Sequence, residues 1–195
     1  MTRSRSITAA MAAACLLGTA GVASAGEFVP VPEDSAENAS LGESLDVEQD
    51  GVTATFKSEG GSLAVAGKAG KQVGLGIAGN KANAINVGET LVVTFNRDVT
   101  LSQIDFGYVG DEDLVVVTIA GADGEVQLKL GGEAGDAELP KGAKVQKNYR
   151  FVKLNGKAAV TVKAGSAIRI TSESSTDNTF FVKSITAEPA GDESA

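Results

Sequence analysis

The sequence has no histidine and no tryptophan, a single cysteine, two tyrosines and four prolines in 195 residues. Without histidine, Ser-His-Asp and Cys-His nucleophile pairs and imidazole-bound zinc are excluded, and no side chain has an unperturbed charge change near neutral pH. The lone Cys15 cannot form an internal disulfide, so burial and backbone pairing must supply the stability. Positive charge is scarce as well: 17 Lys+Arg face 25 Asp+Glu, a net charge of −8. That balance is a poor match for nucleic acid or an anionic membrane through the overall field. After residue 25 no window shows a sustained 3.6-residue apolar period with helix caps. At about 150 residues per domain, the length allows one domain.

Residues 1–25 combine a basic start (Arg3, Arg5), an Ala-rich apolar stretch broken by Gly18 and Gly21, and the small residues Ala23-Ser24-Ala25. This is the pattern of a cleaved secretory signal, and cleavage is expected after Ala25. Ala12-Ala13-Ala14 before Cys15 loosely matches a lipoprotein processing site, but the apolar stretch continues beyond it. Loss of Arg3 and Arg5 leaves 15 basic against 25 acidic residues, a net charge of −10. A secreted, periplasmic or cell-surface protein is expected, with no membrane span after cleavage. Residues 26–45, with Pro30, Pro32 and several acids, read as a flexible acidic leader, and residues 188–195 as a disordered tail.

Between them, residues 46–187 are built of short Val, Ile, Leu, Phe and Thr runs separated by Gly, Asn and Asp. Val52, Ala54 and Phe56 share one face of a strand, as do Leu91, Val93 and Phe95, then Ile104, Phe106 and Tyr108, then Val126, Leu128 and Leu130. The apolar run 114–119 reads as a strand covered on both faces or lying centrally. Asn155-Gly156 is the strongest two-residue hairpin signal, since a type I′ turn needs positive φ at both positions. Each half-buried sheet must cover its apolar face with another. The expected fold is therefore all-β, an antiparallel β-sandwich of jelly-roll type with about nine to eleven strands.

The stretch VGLGIAGNKANAINVGETLVVTFNRDVTLSQIDFGYVGDEDLVVVTIAG (73–121) and the ending IRITSESSTDNTFFVKSITAEP (168–189) carry a resemblance over about seventy residues. They resemble a broad group of bacterial exported β-sandwich modules common in proteins with PEP-CTERM-type sorting signals. In these, a "GLGV.G" run precedes "I..GE.L.F.F...V.L..I.F" and the last strands read like "FFVDSITV". The resemblance implies the sandwich fold; most such modules have no assigned activity. The text after Ala187 is EPAGDESA, so anchoring by the sorting route is not expected.

Several groups of residues invite a chemical reading. Asp111, Glu112 and Asp113, in a turn between two strands, offer hard oxygen ligands that suit calcium; the alternative is a solvated acidic turn. Asp177-Asn178 and the acids Glu43, Asp46, Glu48 and Asp50 could complete such a structural site. Gly74, Gly76 and Gly79 match the spacing of a dinucleotide-binding loop, but that loop works only before a helix, so packing or bulges in a sheet are expected instead. Residues 141–163 hold seven Lys and Arg and no acid. Lys147, Arg150 and Lys153, with Tyr149 as a stacking platform, form a candidate site for an acidic glycan. Alternatively the lysines guard a sheet edge against aggregation, or meet the acidic residues 33–50 in the same or a neighbouring molecule. No pair of carboxylates stands out for glycoside hydrolysis. The expectation is a non-enzymatic secreted or surface module for adhesion, matrix or envelope interaction. A carbohydrate-binding module for an acidic polysaccharide is the alternative, and a small polysaccharide-active enzyme is a remote one.

Overall fold

The computed structural model describes residues 25–68, 72–79, 82–110, 113–131, 139–145, 151–154, 156–173 and 179–191. Residues 1–24 of the expected signal segment, Cys15 among them, lie outside the described residues. Among the described residues fifteen strands form: β1 (Gly26–Phe28), β2 (Ser40–Gly42), β3 (Ser44–Gln49), β4 (Val52–Glu59), β5 (Leu63–Lys68), β6 (Gln72–Ile77), β7 (Thr90–Phe95), β8 (Val99–Gly107), β9 (Leu114–Gly121), β10 (Gly124–Gly131), β11 (Lys144–Val145), β12 (Phe151–Lys153), β13 (Val160–Val162), β14 (Ala167–Ser172) and β15 (Phe181–Pro189). No helix among the described residues is long and apolar enough to cross a membrane.

All strand pairings within the sheet are antiparallel, and one path runs β2-β5-β6-β15-β8-β13-β9-β14-β7-β4-β3. Two runs within it define the fold. On one layer the order is β6-β15-β8-β13, and on the other β7-β14-β9 followed by β10, which pairs with β9. Numbered one to eight, these strands follow 1-8-3-6 and 2-7-4-5, the connectivity of an eight-stranded jelly roll. The layers join where β13 pairs with β8 and, at Val162, with Gly121 of β9, so the sheet is nearly closed.

Alternation builds the core. Val52, Ala54, Phe56, Leu91, Val93, Phe95, Ile104, Phe106, Leu128, Leu130, Ile168 and Ile170 all point into one apolar cluster fed by both layers. β9 lies between β10 and β14; its Val115, Val117 and Ile119 are fully buried in the core, and Val116 on the opposite face is buried as well.

Three expectations are corrected. First, residues 26–45 are not a detached leader. They contain β1 and β2, and Phe28 is 1 % exposed with its ring 5.5 Å from that of Phe95 in the opposite layer. A three-residue strand is too short for its alternation to register. Likewise β15 runs to Pro189, past the expected boundary at 187. Second, Gly156 does not close a hairpin; Asn155 lies outside the described residues. Gly156–Ala158 is a 3-10 turn, and β12 and β13 lie end to end along β8 rather than against each other. The apolar Leu154 and Ala158 are buried on either side of Gly156, and the Leu154 N–H bonds Ser102 O at 2.7 Å, which keeps the chain beside β8. Third, Tyr108 leaves its strand, with φ at 46° and 61 % exposure. The strand count exceeds the expectation because β1, β2, β11, β12 and β13 are only two or three residues long.

Candidate functional site

An open polar groove of about 1180 Å³ lies at one end of the jelly roll, between Arg97, Asp98, Thr100, Ala122, Asp123, Thr161, Lys163, Ala164, Ala190 and Gly191. Four stretches far apart in sequence build it: the β7–β8 turn, the β9–β10 turn, the β13–β14 corner and the chain after β15. Each turn carries Gly, Asn or Asp because the chain changes direction there.

Asp98 ties three of these stretches together. Its carboxylate accepts the Lys163 ammonium at 2.8 Å and the Ala164 N–H at 2.9 Å, and its backbone oxygen accepts the Ala190 N–H at 3.0 Å. The Lys163 hydrogen bond, and then that of Ala164, hold its carboxyl below the usual value of 3.8. The fourth stretch is fixed by Ala122 N–H to Thr161 O at 2.7 Å. Thr161 is the cross-strand partner of Thr100, so two half-buried threonines stand side by side within the groove. Arg97 and Lys163 balance Asp98 and Asp123, giving a neutral surface rich in donors and acceptors. Such a surface suits a hydroxyl-bearing ligand.

Of the basic segment, Lys147, Tyr149 and Arg150 lie outside the described residues. Lys153 is exposed on β12, directly opposite the exposed Lys144 of β11. β12 lies at the margin of the layer against β8, and among the described residues β11 pairs only with β12. Lysines in that position protect an edge from further pairing. Lys163, at the end of the same segment, belongs to the groove. Ion pairs between described residues include Lys129–Glu173, Lys163–Asp98 and Arg169–Glu59.

Asp111 and Glu112, and Asp177-Asn178, lie outside the described residues. Asp113 is 2 % exposed and tied to protein donors: Gly110 N–H at 2.7 Å, Thr179 N–H at 3.1 Å and Thr179 Oγ1 at 2.8 Å. It pins the start of β9 to the approach to β15, a structural task that needs no metal. Asp46 accepts the Thr55 hydroxyl at 2.6 Å, and no group of three potential metal ligands occurs among the described residues.

The glycine-rich run lies on β6, followed by no described helix. A Cβ on Gly74 would meet the Phe181 ring at 2.6 Å, and one on Gly67 of β5 would meet it at 2.9 Å. Gly107 of β8 touches the same ring, so one aromatic side chain lies across three neighbouring strands. Gly74 and Gly76 serve close packing, as expected, whereas a Cβ on Gly79, beyond the end of β6, would meet only the Glu89 side chain.

Sequence reasoning missed one carboxylate pair. The Ser184 hydroxyl lies 2.7 Å from Glu27 Oε1 and 3.4 Å from Asp105 Oδ2, while Gln103 donates to Asp105 Oδ1 at 2.7 Å. A bulge at Lys183 brings Ser184 opposite Asp105, and β1 brings Glu27 alongside. Burial pushes the Asp105 carboxyl above its usual 3.8, and the neighbouring Glu27 charge adds to this against the Gln103 hydrogen bond. The residues are 78 positions apart in sequence, and no local motif announces them. The pair lies five residues, about 17 Å, along β8 from Thr100, so it is not part of the groove.

Comparison of the chain with models of protein families, with curated proteins and with solved structures finds no match.

Proposed function

We propose that this chain is a non-enzymatic module, secreted or displayed at the cell surface, that engages envelope or matrix glycans through the groove at the end of the jelly roll. The observation that carries this reading is the Thr100–Thr161 pair between balanced charges, Arg97 and Lys163 against Asp98 and Asp123. Sugars are bound through many hydroxyl contacts, and a carboxylate, a guanidinium and paired threonines supply acceptors and donors together. The hydrogen bonds around Asp98 preorganise three of the four stretches, so little ordering is lost on binding. The resemblance to exported β-sandwich modules and the export signal agree with such a location.

Electrophoresis of the purified protein through gels containing a neutral polysaccharide tests this. Retardation is expected, and it should be lost in the Thr100→Val, Thr161→Val double variant while the unfolding midpoint holds. Equal retardation of the variant contradicts the groove.

A second reading follows from Lys144 facing Lys153: an acidic polysaccharide lying along the β11–β12 margin. It predicts retardation by acidic polymers only, weakened by salt, because exposed charges are screened over about 8–10 Å. Lys144→Gln with Lys153→Gln would abolish that retardation and leave the groove's activity intact.

A further inference from the structure

β10 forms an edge of its layer: among the described residues all eight of its positions pair with β9 and none with another strand. Long edge strands invite pairing with another chain, and proteins that remain monomeric blunt them with short strands, proline, bulges or exposed charge, lysine above all; the one lysine of β10, Lys129, is half-buried and paired with Glu173. β10, Gly-Glu-Val-Gln-Leu-Lys-Leu-Gly, has no proline, its pairing to β9 has no bulge, and it carries one charge of each sign.

Those charges are placed symmetrically. Laid antiparallel on a second copy of itself about Gln127, the strand sets Glu125 opposite Lys129 at both ends of the contact. Gln127 then faces Gln127, and Val126 faces Leu128 twice. Glu125 and Gln127 are exposed and Lys129 half-buried, on the outer side, whereas Leu128 and Leu130 are buried on the inner side. A slip of one residue would turn the apolar row toward solvent. A slip of two separates Glu125 from Lys129.

We infer that β10 is a homodimerisation edge, joining two copies of this chain through a two-fold β10–β10 pairing centred on Gln127. The interface is isologous and closes at two subunits, so it produces a dimer and no fibre. The β7-β14-β9-β10 layer continues across the axis into its symmetry mate. Lys129 already reaches Glu173 at 3.1 Å, and in the dimer it lies between Glu173 and Glu125 of the second copy. The inference is independent of the groove.

Sedimentation of the full chain across a concentration series tests it. A dimer is expected. Glu125→Lys alone or Lys129→Glu alone places like charges opposite each other twice and should weaken the dimer about tenfold or more. The double variant Glu125→Lys, Lys129→Glu restores opposite charges in the same register and should recover the dimer. Gln127→Cys should yield a disulfide between two copies at position 127, assigned by peptide mapping, which also reports on the contact if a charge variant folds poorly. A monomer at every concentration overturns the inference. So does a dimer that ignores the single substitutions and forms no cross-link at position 127.

Discussion

The ring of Phe181 rests on Gly107 so closely that no side-chain carbon fits between them. Because Gly67 and Gly74 lie under the same ring, β5, β6, β8 and β15 are locked at this point by one residue. Gly107→Ala must displace the ring or the strand and should cost about 1–3 kcal/mol in urea unfolding. Gly79→Ala meets only the flexible end of Glu89 and should fall within about 0.5 kcal/mol of the parent. Equal effects would contradict the packing role.

Asp105 gives the protein an acid-side response of known sign. Its carboxyl titrates above 3.8 in the folded state, so the folded state holds the proton more tightly than the unfolded chain does. This contribution favours folding below 3.8 and is lost as pH rises through the folded value. Asp105→Asn removes the charge that costs stability near neutral pH. The variant should therefore be more stable than the parent at neutral pH, with the difference shrinking in acid. Urea midpoints measured at both ends check this.

Asp98 has the opposite sign. Its lowered pKa means that its bonds to Lys163 and Ala164 favour folding above 3.8 and are lost as pH falls through the folded value. Asp98→Asn should loosen the β13–β14 corner, read as faster amide exchange at Ala164, and the difference should vanish in strong acid.

Asp113 separates a structural carboxylate from a calcium ligand. Asp113→Ala strands the Gly110 and Thr179 donors and should cost about 3 kcal/mol. A calcium chelator should leave the parent's unfolding midpoint in place; a clear drop would reassign Asp113 to a metal.

Much of this architecture was legible in the residues. The rows Val52-Ala54-Phe56 and Leu91-Val93-Phe95 keep period two and end in turn residues, so they announce both strand and buried face. The sandwich expectation followed from the need to cover those faces. What escaped was set by long-range pairing. Phe28 has too few neighbours to show alternation, and Asn155-Gly156 looked like a hairpin because a turn signal does not say which strand the chain next meets. Thr161 and Lys163 of the groove lay within the basic segment 141–163, but its charge pattern pointed to Lys147, Arg150 and Lys153 instead. Thr100 and Thr161 become neighbours through β8 and β13, and Glu27 meets Asp105 only once β1 docks on β15.

The proposed module binds its ligand without transforming it. The most direct test is to incubate the purified protein with whichever polysaccharide retards it and follow the polymer's length distribution. An unchanged distribution, with retention lost in the Thr100→Val, Thr161→Val variant, is the predicted result. Shortening of the polymer that disappears in Asp105→Asn would contradict it and make the Glu27–Asp105 pair a catalytic centre.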